Sequence, residues 1–222
     1  MVGAAAQDYL KTIYKLASGG HRATPTLVAE RMCVSAAAVT KMVRRLQELN
    51  LATYTRTDEV RLTDAGEKIA LEMIRHHRLL ETYLMEALGY TWDQVDVEAE
   101  KLEHVISEEF EDRIAQFLGH PTHDPHGDPI PTKEGYVELV HHGTLSELEP
   151  GQEGVVRRVT DGDPDMLRYL GELGLYPHAA VEMVRKEPYG GPLCVRVSGA
   201  ERAIGRELAE NVFVAPTDAT GQ

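Results

Sequence analysis

Three stretches of the chain carry side chains able to hold a cation. EAEKLEH, residues 98–104, sets Glu100, Glu103 and His104 at i, i+3 and i+4, which on a helix is one face, with Asp96 one turn earlier on the same side. RHHRLLE, residues 75–81, sets His77 and Glu81 at i and i+4, and Asp8 lies near the start of a third stretch, QDYLKTIY. Clustered carboxylates raise one another's pKa unless a cation offsets the repulsion. Carboxylates joined by one or two imidazoles are a hard donor set that suits Mn²⁺ or Fe²⁺. Cys33 and Cys194 are remote from all three stretches, which excludes a thiolate site. The plain alternatives are a solvated acidic helix face and a surface His–Glu hydrogen bond. His76, His120, His123 and His126 read as surface or linker residues.

The elements that must position these groups follow from periodicity and punctuation. Residues 5–18 keep Leu10, Ile13, Tyr14 and Leu16 on one helical side, and GGH at 19–21 breaks the helix. A short helix over 26–32 follows Pro25, and Ser35 is a good N-cap for a longer one with Val39, Met42, Val43, Leu46 and Leu49 at helical spacing. Residues 52–63 hold two short β-like runs around Asp58–Glu59, a small hairpin or wing. Asp64 and Glu67 resemble a capping box opening a long helix to about Leu88, ended by Gly89. A further single helix is expected over 93–118, with Val95, Leu102, Val105, Ile106, Phe110, Ile114 and Phe117 as its apolar stripe. Residues 119–135, rich in Pro, Gly and His, read as a linker. Beyond them the β runs GVVRRV, AAVEMVRK, PLCVRVS and NVFVAP surround the helix-like DPDMLRYLGELGL, a small barrel. The fold class is therefore mainly α with a small β domain: a winged helix-turn-helix over 1–63, a helical metal-binding and dimerisation domain with linker over 64–135, and a barrel over 144–216.

Helix, tight turn, longer helix and wing occur in the order of a winged helix-turn-helix, which lays the N-terminal residues of its second helix in the major groove. Those residues are Ser35, Ala37, Ala38, Thr40 and Lys41. Small side chains allow close approach, and Ala or Thr methyls touch a thymine methyl. Lys41, Arg44, Arg45 and, in the wing, Arg56 and Arg61 suit phosphate contacts. Charge is distributed accordingly. The 222-residue chain carries a net −13, yet residues 1–62 hold nine Lys/Arg against five Asp/Glu. Residues 91–118 hold two against nine. A basic face on an acidic protein favours specific over indiscriminate binding to DNA, because the remainder repels phosphate. The start MVGAAAQDYLKTIY lacks the pattern of a secretory signal, no apolar run is long enough for a membrane span, and two distant cysteines suit a reducing cytoplasm.

QDYLKTIY, LVAERMCVSAAAVTKMVRRL, RLTDAGEKIA, HHRLLETYL and EAEKLEHVISEE together resemble the diphtheria toxin repressor family of metal-dependent transcriptional regulators. The likeness is greatest to its manganese branch, in the long form whose C-terminal domain is SH3-like; LGELGLYPHAAVEM also resembles a small domain of ferrous-iron transport proteins. The resemblance implies that Asp8, Glu100, Glu103 and His104 form a primary, activating site. It implies a second site from His77, Glu81 and Asp96, with Asp163, or Asp165 beside it, supplied by the barrel. In the iron branch a methionine stands at the Asp8 position and a cysteine at the Glu100 position; carboxylates at both imply Mn²⁺, with Fe²⁺ as the alternative. The likeness departs at Lys11, where manganese relatives carry an acid, so one activating ion plus a separate ancillary ion is expected rather than a bridged pair. A homodimer on palindromic operator DNA, built on the Phe110–Ile114–Phe117 stripe and repressing metal-uptake genes, completes the expectation. The rival classes are a metallohydrolase and a metal-independent winged-helix regulator. EKLEH superficially resembles an inverted zinc-peptidase motif but has Glu100 in place of its first histidine, and no HExxH, P-loop or dinucleotide fingerprint occurs.

Overall fold

The computed structural model describes residues 2–54, 59–138 and 140–217. They divide into two compact units: Met1–His77 with Leu102–Ser107 and Pro131–Val137, and Arg78–Lys101 with Glu108–Ile130 and Glu138–Gln222.

In the first unit, α1 (Ala4–Ser18), α2 (Pro25–Arg31) and α3 (Ala36–Glu48) precede a two-stranded ribbon of β1 (Ala52–Tyr54) and β2 (Val60–Leu62). The helix starts are locally encoded. Thr24 accepts from the Leu27 amide ahead of Pro25, and Ser35 accepts from the Ala38 amide. Cys33, at φ 52°, makes the turn between α2 and α3. Leu10, Ile13, Val28, Val39 and Leu46, all fully buried, knit the three helices together. Each such side chain contributes roughly 1.5–3 kcal/mol. The ribbon pairs antiparallel, Thr53 opposite Arg61, and Val60 donates its amide to the Ala23 carbonyl, tying the wing to the loop before α2. Arg56 lies outside the described residues, as do Thr55, Thr57 and Asp58.

The long helix α4 (Asp64–Leu88) is capped by Thr63, not by Asp64: the Thr63 hydroxyl accepts from the Gly66 amide at 3.2 Å and its carbonyl from the Glu67 amide. Asp64 instead occupies the first turn, where its charge complements the helix dipole. Gly66 has a steric duty, since a Cβ there would meet the Leu51 carbonyl oxygen at 2.0 Å. Gly89, at φ 75°, closes the helix as the Tyr90 amide returns to the Leu84 carbonyl.

The single helix expected over 93–118 is two: α5 (Val95–Leu102) and α6 (Glu108–Phe117), separated by a turn. Ser107 followed by Glu108, Glu109 and Glu111 is a fresh helix start with acids in its first turn, and the apolar stripe runs over that signal. Glu103 and His104 therefore lie in the turn after α5 rather than on a helical face.

The second unit is built on a six-stranded antiparallel sheet of order β3-β8-β4-β5-β6-β7. Its strands are β3 (Gly143–Thr144), β4 (Glu153–Val159), β5 (Ala180–Lys186), β6 (Leu193–Val197), β7 (Ala200–Ile204) and β8 (Val212–Pro216). Helix α7 (Pro164–Leu173) and the single turn α8 (Arg206–Ala209) connect them. Period-two burial places Val181 and Met183 of β5, Leu193, Val195 and Val197 of β6, and Val212 and Val214 of β8 in one core. Strand β7, AERAI, carries little apolar signal. Its pairing with β6 is dictated by a two-residue turn, Ser198 and Gly199, with φ 49° and 78°, the primed geometry of a tight hairpin.

Residues 119–130 are a stitched loop. Arg78 donates to the Pro129 carbonyl and to Asp128 and lies 3.4 Å from Asp124. Val159 of β4 donates its amide to the His126 carbonyl. Gly127, at φ 89°, lies so close to β4 that a Cβ would fall 1.9 Å from the Arg157 carbonyl oxygen. Gly66→Ala is expected to destabilise the protein by about 2–4 kcal/mol through backbone collision. Calorimetric melting checks this, and an unchanged Tm would show that α4 does not need the close approach.

Candidate metal centre

The first unit gathers its chemistry around one carboxylate. Glu103 is wholly buried, 0% exposed. Lys11 of α1 reaches both its oxygens, at 2.6 and 2.8 Å, and His77 Nδ1 of α4 contacts Oε2. Burial pushes the Glu103 carboxyl up, but the His77 and Lys11 contacts outweigh it and hold the pKa below the ordinary glutamate value. His104 sits alongside. Its Nδ1 lies 2.9 Å from Gln7 Oε1, and its Nε2 lies 2.8 Å from Asp8 Oδ1 and 3.5 Å from Glu103 Oε1. The Gln7 contact at Nδ1 orients the ring so that Nε2 points at two carboxylates, and the contact of Nε2 with Asp8 is the one that a divalent ion would replace. Asp8, Glu103 and His104 bring one ligand atom each to within 4.8 Å of one another. Oxygen and imidazole donors with no sulfur fit a hard divalent ion. Glu100 lies on α5, three and four residues ahead of Glu103 and His104, and is exposed.

The second unit holds another group, in a place the sequence does not advertise. Glu81 of α4, Asp124 and His126 are all buried and bring one ligand atom each to within 4.8 Å of one another. His126 Nε2 donates to the Trp92 carbonyl at 2.7 Å, which leaves Nδ1 as a lone pair, 3.6 Å from Glu81 Oε1. Asp124 spends Oδ1 on the amides of His126 and Asp128, both at 2.9 Å, and turns Oδ2 inward. Burial, the Glu81 carboxylate and Asp128 push the Asp124 carboxyl well above the ordinary range, against the pull of Arg78. A lone pair and two acids sharing a dry space are stable with a proton or a divalent ion between them.

This alters two sequence expectations. His126 is a buried loop residue, and His76 is buried too, its Nδ1 against the Glu103 carbonyl; neither is a surface or linker histidine. His77 is hydrogen-bonded to Glu103, and Glu81 Oε1 lies 3.6 Å from His126 Nδ1. Glu81 and Asp96 do come within 4.8 Å of each other. Asp163 is the N-cap of α7, its Oδ1 accepting from the Asp165 and Met166 amides, and it belongs to none of the ligand groups found among the described residues. Glu81 is signalled by its spacing from His77, whereas Asp124 and His126 are signalled only by the Asx-turn spacing of Asp124, His126 and Asp128, and nothing local marks them as buried.

The candidate nucleic-acid face is simpler. Ser35, Ala37, Ala38, Thr40, Lys41, Arg44 and Arg45 are all exposed along one side of α3, while Val39, Val43 and Leu46 on the other are buried. Thr40 bonds back to the Ala36 carbonyl, Arg45 pairs with Glu48 at 3.3 Å, and Arg61 of β2 pairs with Glu59.

Comparison with known proteins shows the family. Residues 1–59 match the iron dependent repressor N-terminal DNA binding domain, 63–132 the metal binding and dimerisation domain of the same repressors, and 143–216 the FeoA domain. The chain is 34% identical over 221 residues to the iron-dependent repressor IdeR of Mycobacterium tuberculosis, covering 93% of this chain and 94% of that one. It is 33% identical over 123 residues to the diphtheria toxin repressor of Corynebacterium diphtheriae, 55% of this chain and 54% of that one. Among solved structures, a manganese-dependent transcriptional repressor in complex with manganese superposes with a TM-score of 0.88 at 39% identity, covering 96% of this chain and all of that one. The manganese regulator SloR does so at 0.78 and 29% identity, covering 98% of this chain and all of that one. The chain belongs to the diphtheria toxin repressor family of metal-dependent transcriptional repressors, in the long form that carries a FeoA, SH3-like domain.

Trp92 is the sole tryptophan; its ring stacks on His126 at 5.9 Å and its carbonyl holds Nε2. Loading the Glu81–Asp124–His126 group with paramagnetic Mn²⁺ is expected to quench Trp92 emission, and His126→Ala to abolish the quench. Emission indifferent to Mn²⁺ in the wild-type chain would dismiss this group as an ion site.

Proposed function

We propose that this repressor is a manganese-activated homodimer that binds operator DNA and shuts off metal-uptake genes in the cytoplasm. The observation that carries the reading is the His104 imidazole, with Nδ1 against Gln7 and Nε2 aimed at Asp8 and Glu103. Asp8 and Lys11 belong to α1, which packs on α2 and α3, the reading helix. An ion held by Asp8, Glu103 and His104, with Glu100 as a fourth ligand, fixes α1 and so the reading helix. Among the divalent ions, Mn²⁺ is favoured by a donor set of carboxylates and one imidazole, and by the manganese-loaded relative. Fe²⁺ is the second reading, supported by the iron-dependent repressors among the relatives. Glu81, Asp124 and His126 would hold an ancillary ion, with Asp96 close to Glu81.

When bound, the ion supplies positive charge that bridges ligands otherwise in mutual repulsion; it is not asked to do covalent chemistry. The chain's own residues do the rest. Ala37, Ala38 and Thr40 present small side chains to base edges, and Lys41, Arg44 and Arg45, with Arg56 of the wing, neutralise phosphates. Phe110 and Phe117 of α6 are exposed, 43% and 67%, and offer the apolar surface of a two-fold dimer. A bias of ~1–3 kcal/mol toward the spacing that fits two half-sites changes operator occupancy strongly. No helix among the described residues is long and apolar enough to cross a membrane.

Gel shifts on a cognate operator are expected to require Mn²⁺ and to fail in chelator. Asp8→Ala with Glu103→Gln is expected to abolish the Mn²⁺ dependence. Unchanged metal-dependent binding by that double variant would defeat the sensor assignment. Lys41→Ala is expected to weaken binding to all sequences alike and to lower the salt slope by about one; a loss confined to one base position would make Lys41 a base reader instead.

A further inference from the structure

We propose that Lys11 is a resident competitor for the activating ion, holding Glu103 in the metal-free chain and thereby setting the metal concentration at which the repressor responds. The inference rests on Asp8, Glu103 and His104 being ligands. Lys11 is 7% exposed, and its ammonium chelates both oxygens of a carboxylate 92 residues away. A lysine is seldom buried unless paired, and this one is paired with the most deeply buried member of the ligand group.

Two consequences follow from charge alone. First, the ammonium does in the absence of metal what a cation does in its presence: it neutralises Glu103 and holds it oriented. The site is thus preorganised, and metal binding becomes an exchange of partners rather than the assembly of a pocket. Second, the exchange weakens binding. The incoming ion must take an oxygen from the ammonium and then tolerate a positive neighbour in a poorly solvated space, where charge repulsion is far stronger than in water. Each further positive charge in this buried space adds to that repulsion. Lys11 therefore acts through Glu103 as a positioning residue, and it disfavours a second ion in the group.

The test is Mn²⁺ affinity of the full-length Lys11→Gln and Lys11→Met proteins, measured by competition with a fluorescent chelator, beside melting curves with and without Mn²⁺. Both variants are expected to bind Mn²⁺ about tenfold tighter or more, because a repelling charge and a competing hydrogen-bond donor are gone. Their metal-free forms are expected to melt lower and their Mn²⁺-induced rise in Tm to be larger, while Lys11→Arg stays near wild type. A lysine with a merely structural role would weaken metal binding when removed, so the sign of the change separates the two roles. Equal or weaker affinity in both variants overturns the proposal. Wild-type binding that survives Asp8→Ala unchanged points to a different failure, that of the ligand assignment itself, and the Lys11 proposal falls with it.

Discussion

An ionised carboxylate with no access to water must be met by positive charge within a few ångströms, and Glu103 is such a carboxylate. Its contacts come from three separate pieces of the first unit: Lys11 on α1, His77 on α4, and the turn that carries Glu103 itself after α5. Burial alone would drive Glu103 to take up a proton. The two basic partners reverse that, so the acid stays ionised rather than becoming a neutral filler. The same contacts hold α1, and α3 packed on it, to the turn after α5. A divalent ion at this position would change the strength of a connection that already exists.

The two ligand groups solve one electrostatic problem in different ways. Around Glu103 the counter-charge is a lysine of the chain. Beside Asp124 the counter-charge is Arg78, 3.4 Å away and shared with Asp128 and the Pro129 carbonyl. Burial and the neighbouring carboxylates then lift the Asp124 carboxyl well above its ordinary range. Metal would displace an ammonium's claim on one site and a proton's on the other. The second group sits against the sheet through Val159 and Trp92, which gives the SH3-like domain a direct part in shaping it.

Much of the molecule is legible locally. The N-caps Thr24 and Ser35, the periodicity of Val39, Val43 and Leu46, the Gly89 stop and the alternating valines of β5, β6 and β8 depend on neighbours within a few residues. The break between α5 and α6 is legible too, in Ser107 and the acids after it, but an apolar stripe that keeps helical phase across the break conceals it. Thr63 displaces Asp64 as cap because its hydroxyl reaches the Gly66 amide, a choice between adjacent polar residues that composition does not resolve.

Sequence by itself determined the element types, the winged helix-turn-helix order, the basic reading face and a pool of hard ligands clustered by helical spacing, because each of these is set by short-range sterics, periodicity or charge. Tertiary structure alone decided which of those ligands meet. It drew His77 onto Glu103, buried His126 beneath a loop held by Arg78 and Val159, made Asp163 a cap, and paired Lys11 with an acid 92 residues distant. Burial and long-range pairing are properties of how surfaces close on one another, and no local pattern of residues carries them.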